Sequence, residues 1–219
     1  MGTGIDRKGR EDMPRGSAEL TSARREEIIQ ACQTLYQRMS FKEITMKDIA
    51  GATSFTRTSI YNYFETKEEI FLALMGKEYD RWVEDIEALE KGRDSMSAEA
   101  FAGALAGTLE KRGMLLKLLS MNHFDMEENS REECLTGFKR SFGASVEAVD
   151  RCLQKFFPRM DEGARRDFLY AFFPFLYGLY PYTTVSQKQR KAMAEAGMDF
   201  QYMSVYRMAE TCVRGLLKP

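Results

Sequence analysis

The sequence has no long apolar run, few cysteines and a single histidine. No stretch of its 219 residues approaches the roughly 18–20 apolar residues of a membrane-spanning helix, and the polar residues 1–17 lack the apolar core of a signal peptide. We therefore expect a cytoplasmic protein with no membrane partner. The cysteines are scattered without a CxxC pair: Cys32, Cys134, Cys152 and Cys212. This pattern predicts reduced, mostly buried thiols, with no metal site and no cofactor.

A large excess of charge is also missing, as are the motifs of common enzymes. The chain has 32 Lys and Arg against 33 Asp and Glu, a formal net charge of -1, so binding to a polyanion requires a local patch. There is no GxSxG, Walker or GxGxxG element. Ser120 precedes His123 by three residues, where a carboxylate-bridged metal bundle needs Glu. These absences argue against an enzyme, and we interpret His123 as a surface or capping group.

Alternating strand patterns are nearly absent, whereas Ala, Leu, Met, Glu, Lys and Arg are abundant, so we predict an all-α fold. Residues 1–18 are predicted to be a flexible arm, and 91–97 (KGRDSMS) the best hinge. The predicted domains are then 19–72, linked through a long helix to about 90, and a helical domain over 91–219. In the latter, helices are expected at about 98–111, 112–122, 134–156, 161–181 and 199–217, with Pro158 and Pro181 as breaks.

Threonine caps mark closely spaced helix starts in the N-terminal domain. A first helix is expected from near Thr21 or Ser22 to about Ser40, with one apolar stripe. Three further starts are predicted at Thr45 with Asp48, at Thr56, and at Thr66 with Glu69. The second helix has about two turns, the third ends near Phe64, and the fourth runs to about Glu90. Two short helices joined by a tight turn indicate a helix-turn-helix.

The third helix has an unusual outward face. Helical spacing buries Ile60 and Phe64 and turns the other side chains outward. Between Thr56 and Phe64 there is no acidic residue. Hydroxyls, an amide, a guanidinium and phenols can donate to phosphate oxygens and base edges, which would repel a carboxylate. The pattern is typical of a recognition helix in the major groove, and a plain surface helix with packed tyrosines is the alternative.

The segment 49–71, IAGATSFTRTSIYNYFETKEEIF, resembles the DNA-binding signature of the TetR (tetracycline-repressor) family of bacterial regulators, and residues 25–50 match its first two helices. The resemblance spans about residues 22–72. It implies an N-terminal three-helix helix-turn-helix domain and a larger helical C-terminal domain for ligand binding and dimerisation. It also implies two groups of contacts with DNA. Phosphates would be bound by Thr45, Tyr61, Tyr63 and Lys67, and base edges by Lys47, Arg57, Thr58, Ser59 and Asn62, with Thr56 as the cap between them.

The chain departs from the family pattern at three positions that usually hold glycine. Ser40 ends the first helix, Ser54 lies in the turn, and Thr58 lies on the recognition helix. We therefore expect a strained or altered turn at Ser54. Because Thr58 adds a branched side chain facing DNA, the base preference does not transfer from the family.

The C-terminal domain contains a helix that is apolar all round (168–182), so both of its sides should be covered. One side is expected to face a ligand pocket and the other a partner subunit, with Pro174 leaving room for a ligand. The predicted pocket residues are Phe101, Leu105, Leu109, Met114, Leu118, Met121, Phe138, Phe142, Val146, Phe173 and Tyr177. The predicted dimer interface consists of Phe168, Phe172, Phe175, Leu179, Tyr202, Val205, Tyr206, Ala209, Val213 and Leu216. Core filling is the open alternative for both sets.

The leading hypothesis is a dimeric, ligand-responsive repressor that a small apolar or aromatic molecule releases from a palindromic operator. An all-α carrier or enzyme with a structural N-terminal module is the alternative from another class. A sequence-independent DNA packer fits less well, because residues 21–64 hold six Lys and Arg against four Asp and Glu, which is weak for binding through phosphates alone. The sequence does not separate a repressor from an activator.

Overall fold

The computed structural model describes the backbone of residues 15–121 and 123–217 and the side chains of residues 19–121 and 124–217. Every regular element in these ranges is a helix, which confirms the all-α prediction. The helices are α1 (Arg15–Tyr36), α2 (Met46–Gly51), α3 (Arg57–Ile60), α4 (Lys67–Lys91), α5 (Ala98–Glu110), α6 (Gly113–Leu119), α7 (His123–Glu128), α8 (Glu132–Phe156), α9 (Glu162–Thr183), α10 (Gln187–Glu195) and α11 (Val205–Leu216). Across the same residues, no helix has the length and apolar character needed to cross a membrane.

The chain divides into two compact units, with the boundary between Glu65 and Thr66. In the first unit α2 packs against both α1 and α3. Its core collects apolar side chains from all three helices and from the adjoining turns: Ile28, Cys32, Tyr36, Ile44, Ile49, Ile60 and Phe64 are 8% exposed or less. Burying a side chain of this size stabilises a fold by about 1.5–3 kcal/mol, so a small unit can hold its short helices in place.

The second unit is built around α4, which packs along α8, while α11 packs on α5 and α9. Trp82 of α4 is fully buried, and its indole N–H donates to the Thr108 hydroxyl at 2.9 Å. Thr108 in turn donates to the Leu105 carbonyl at 2.7 Å. The largest side chain of the core therefore keeps its polar atom satisfied, as burial requires.

Several helix bounds differ from the predictions. The first helix begins at Arg15 rather than near Thr21, so residues 15–18 of the predicted arm are helical, while residues 1–14 lie outside the described residues. Two short helices, α7 and α10, were not predicted. Pro181 does not end α9, which continues to Thr183. Pro174 and Pro181 are both exposed, so water can bond to the carbonyls that each proline leaves unpaired in the helix.

Candidate functional site

The N-terminus of α2 is fixed by the predicted capping box, which the structure confirms. The Thr45 hydroxyl oxygen accepts from the Asp48 backbone N–H at 3.3 Å, and the Asp48 carboxylate accepts from the Thr45 backbone N–H at 2.9 Å. The Thr45 hydroxyl also donates to Asp48 at 2.6 Å. The hydrogen bonds from Thr45, first from its hydroxyl and then from its backbone, lower the pKa of Asp48. The box therefore persists in neutral solution and holds Lys47, which is exposed, on the first turn of α2.

The turn between α2 and α3 is held by side chains rather than by glycine. The Ser54 N–H donates to the Glu27 carboxylate at 2.6 Å. Within the turn, the Thr53 hydroxyl donates to the Ala50 carbonyl at 3.0 Å and accepts from the Phe55 N–H at 3.3 Å. No non-glycine residue in the described ranges has a positive φ. The strain expected at Ser54 is therefore absent.

Thr56 caps α3 as predicted, accepting from the Ser59 N–H at 3.2 Å. The helix is shorter than expected, because regular α-helical structure ends at Ile60. The backbone continues in tighter turns, with the N–H groups of Tyr63 and Phe64 both donating to the Ile60 carbonyl at 2.9 and 3.0 Å. Ile60 and Phe64 are fully buried. Residues 57–63 therefore keep the predicted inward anchors and present their other side chains outward.

The predicted DNA-contacting side chains of the first unit are accessible. Those exposed are Thr45, Lys47, Thr56, Arg57, Thr58, Tyr61 and Asn62, and those half-buried are Ser59 and Tyr63. Lys67 is the first residue of α4 in the second unit and is half-buried. No acidic residue lies within 56–64, so this surface carries polar donors without a carboxylate.

Arg57 and Tyr61 form a pair along the exposed side of this segment. The guanidinium donates to the Tyr61 hydroxyl from Nε at 3.3 Å and from Nη2 at 3.1 Å, and its Cζ lies 5.8 Å from the ring centroid. A spacing of four residues places the two side chains on one helical face. The phenol therefore orients the positive charge at the exposed surface.

Two arginines of α1 complete this region, and the sequence analysis did not identify them. Arg24 donates to the Tyr63 hydroxyl at 3.1 Å, and Arg25 donates to the Tyr63 carbonyl at 2.9 Å while its Cζ lies 4.2 Å from the Phe64 ring centroid. Both contacts fix the C-terminal end of the exposed segment. The only signal in the sequence was an Arg pair one turn before the apolar stripe of α1, and local spacing does not show what it reaches.

A Thr-capped helix, a glycine-free tight turn and a second Thr-capped segment with an acid-free outward face define a helix-turn-helix DNA-binding protein. Comparison with known families agrees with this class. Residues 28–74 match the model of the bacterial regulatory proteins of the tetR family. Residues 76–218 match the tetracyclin repressor-like C-terminal domain. The chain belongs to the tetR family and is a DNA-binding transcriptional regulator.

Individual relatives are more distant. An uncharacterized HTH-type transcriptional regulator, YfiR of Bacillus subtilis, is 31% identical over 87 residues, which cover 40% of this chain and 41% of the relative. The fatty acid degradation regulator FadR of Bacillus halodurans has a similar structure (TM-score 0.56, 16% identity, 89% of this chain and 94% of that chain). Thermus thermophilus FadR, a repressor solved in complex with lauroyl-CoA, is comparable (TM-score 0.56, 19% identity, 88% and 93%). At these identities the structural likeness shows the fold.

In the second unit, part of the predicted ligand pocket forms a groove. Phe142, Val146, Phe173 and Tyr177 line an open cavity of about 670 Å³ between α8 and α9, together with Leu169, Tyr170 and Pro174. The remaining predicted pocket residues lie elsewhere. Phe101, Leu105, Leu109, Leu118 and Phe138 are buried core residues, and Met114 and Met121 are half-buried. Phe101 packs against Phe156 and Phe157, with ring centroids 5.9 and 5.4 Å apart, so α5 contributes to the core at this point.

The predicted dimer interface is divided in the same way. Phe168, Phe172, Leu179, Ala209 and Val213 are 2% exposed or less, so their own chain already covers them and they offer no surface to a partner. Phe172, for example, lies 6.5 Å from the Trp82 ring. Phe175, Val205 and Leu216 are half-buried, and Tyr202 and Tyr206 are exposed. The helix is apolar all round, so its sequence could not show which stripe faces inward.

Proposed function

We propose that the protein is a dimeric, ligand-responsive repressor that leaves a near-palindromic operator when a small apolar or aromatic molecule binds the second unit. The observation that carries the ligand part is the groove of about 670 Å³ between α8 and α9. The mechanism requires the ligand to prefer the conformation that does not bind DNA, because equal affinity for both conformations would shift nothing.

In the DNA-bound form, Arg57 and Lys47 read guanine and Asn62 reads adenine, which are the natural hydrogen-bonding partners of these side chains. Ser59 and Thr58 contact neighbouring base edges, and Tyr61, Tyr63 and Lys67 bind phosphates. The support for this assignment is the accessibility of the polar side chains between 56 and 63 and the position of Arg57 on the Tyr61 hydroxyl. One such segment binds weakly, whereas two related by a two-fold axis reach successive major grooves about 34–36 Å apart.

The dimer is proposed to form through the outer stripe of α9 rather than the inner one. Tyr170 and Tyr182 are 77% and 55% exposed, and Ala171 and Pro174 between them are also exposed. Large exposed apolar patches are uncommon on monomeric proteins and are typical of interaction sites. A second copy packing by two-fold symmetry would cover the same stripe on both subunits.

Replacing Tyr170 and Tyr182 together with Asp is expected to convert the dimer to a monomer, because each carboxylate would be desolvated in the interface. Sedimentation velocity at matched concentrations measures the mass. Tyr61→Asp is the matched control, since Tyr61 is an exposed tyrosine of the first unit and its variant should remain dimeric. A Tyr170→Asp, Tyr182→Asp protein that sediments with the mass of the dimer would contradict the assignment of this stripe.

The coupling between groove and DNA is proposed to run through the start of α4. The Thr66 hydroxyl donates to the Asn129 carbonyl at 2.9 Å. The fully buried Glu69 carboxylate accepts from the Arg131 guanidinium at 2.6 and 2.8 Å. α8 begins immediately after Arg131 and carries Phe142 and Val146 to the groove. A ligand that displaces α8 would therefore act on the first turn of α4, which directly follows Glu65.

Compounds that stabilise the protein against heat are expected to release it from DNA. A ligand present at 100 times its dissociation constant stabilises by about 2.7 kcal/mol, which a thermal shift resolves. Fluorescence anisotropy of labelled operator then measures the DNA affinity with and without each stabiliser. Stabilisers that leave the operator affinity unchanged would contradict the coupling.

The groove does not match a coenzyme A ester such as the one in the Thermus thermophilus relative. Its lining residues include no Lys or Arg, so it offers no cation to the phosphates of such a ligand. A compound without phosphate groups is therefore the better candidate for the screen.

A further inference from the structure

The walls of the groove between α8 and α9 are mainly the edges and faces of aromatic rings. Phe142 meets Phe173 edge-on, with centroids 5.6 Å apart and planes at 82°. Behind them, the Tyr79 ring packs edge-on against Phe142 at 5.6 Å, and Trp82 packs against Phe173 at 5.9 Å. Rings locked in these orientations favour a planar ligand that stacks on, or points its edge at, a neighbouring ring.

A polar group lies behind this aromatic wall. Tyr79 is 0% exposed, and its hydroxyl has no hydrogen-bond partner of regular geometry among the described residues. A buried hydroxyl without a partner is destabilising, so one in a native fold calls for an explanation. Tyr177, which lines the groove, is close enough to influence it. Burial, followed by the neighbouring Tyr177, raises the pKa of Tyr79 well above its ordinary value, so both phenols meet a ligand in their neutral form.

Formal charge is missing from the groove. Its lining residues are Phe142, Val146, Leu169, Tyr170, Phe173, Pro174 and Tyr177, none of which carries a charge at neutral pH. An ionised ligand entering it would lose hydration without gaining a counter-charge, which is costly. The groove therefore discriminates against carboxylates and ammonium ions.

We propose that this groove binds an uncharged aromatic compound carrying one hydroxyl or carbonyl group, and that Tyr177, backed by Tyr79, is the residue that selects for that group. The proposal rests on the function proposed above, which makes the groove the effector site. The ligand's polar group completes the hydrogen bonding of the two phenols, while its ring stacks between Phe142 and Phe173. A hydrocarbon of the same shape gains the stacking alone.

The test is isothermal titration of the full-length protein with three probes of one ring system: 2-naphthol, naphthalene and 2-naphthoate. We expect 2-naphthol to bind about tenfold more tightly than naphthalene, which is the contribution of one hydrogen bond, and 2-naphthoate not to bind measurably. Tyr177→Phe keeps the ring and removes the hydroxyl. It should weaken 2-naphthol about tenfold and leave naphthalene unchanged. Tyr182→Phe, at an exposed tyrosine outside the groove lining, should change neither.

Two further variants make each outcome decisive. Val146→Trp fills the groove and should abolish binding of all three probes, and retained binding would place the site elsewhere. Tyr79→Phe should reproduce part of the Tyr177→Phe effect. Equal affinity for 2-naphthoate, no affinity for any probe, or an unchanged 2-naphthol affinity in Tyr177→Phe would each overturn the proposal. Because these titrations contain no DNA, a protein that binds 2-naphthol as expected and keeps its operator affinity would overturn the proposed regulation alone.

Discussion

Replacing Arg131 with Ala is expected to lower the free energy of unfolding by about 3 kcal/mol. The Glu69 carboxylate is fully buried and accepts from Nε of Arg131 at 2.6 Å, from its Nη2 at 2.8 Å and from its backbone N–H at 3.1 Å. Removing one member of a buried ion pair costs about 3–5 kcal/mol, because the other charge is left without compensation. The lower end of that range applies because the backbone N–H of residue 131 still donates in the variant. Urea denaturation followed by circular dichroism measures the difference.

Lys139→Ala is the matched control on the same helix. Lys139 binds Glu127 at 2.6 Å, but its side chain is half exposed, and surface pairs contribute about 0–1 kcal/mol. The double replacement Glu69→Leu, Arg131→Met should recover most of the stability, since an apolar pair of similar volume avoids the desolvation penalty. A decrease below about 1 kcal/mol in Arg131→Ala, similar to that of a surface pair, would contradict the view that this pair fixes the first turn of α4.

The second large effect is expected at the recognition segment. Arg57→Ala should cost about 1–3 kcal/mol of operator binding and relax the preference at one base position, as should Asn62→Ala at another. Lys67→Ala should weaken binding to every duplex alike and reduce the salt slope by about 0.9, because the variant neutralises one phosphate fewer. Fluorescence anisotropy on operator and scrambled duplexes, at several KCl concentrations, separates the two behaviours.

Tyr61 needs two variants, because its hydroxyl holds the Arg57 guanidinium at 3.1 Å. Tyr61→Ala removes a phosphate-binding hydroxyl and also frees Arg57, so it should weaken binding to all sequences and relax the preference at the base read by Arg57. Tyr61→Phe retains the ring beneath the guanidinium and should show a smaller version of both effects. Unchanged operator affinity in Arg57→Ala, Asn62→Ala, Tyr61→Ala and Lys67→Ala would show that another surface reads DNA.

The helix-turn-helix could be predicted because the interactions that define it are local. Thr45 and Asp48, or Thr56 and Ser59, bond across three residues, and such pairs are visible in the sequence as capping patterns. Helical spacing likewise identified Ile60 and Phe64 as the buried anchors. These features depend on residue type and spacing alone.

The contacts that fix the orientation of these elements could not be predicted in this way. Glu27 reaches Ser54, and Arg25 reaches Tyr63, across 27 and 38 residues. Glu69 lies where the capping box with Thr66 was expected, yet its carboxylate binds Arg131, 62 residues away. No local pattern distinguishes a carboxylate that closes a capping box from one that binds a distant arginine. The inward stripe of α9 was hidden for a related reason, since apolar residues occur on every side of that helix.

Selection of bound sequences from a random duplex pool, at near-physiological salt, tests the central claim most directly. The account predicts an enriched near-palindrome whose two half-sites are centred about 10 base pairs, or a multiple of that spacing, apart. Arg57→Ala should lose the preference at the same position in both halves. A folded protein that enriches no sequence, or a motif without two-fold symmetry, would contradict a dimer that reads DNA through residues 56–63.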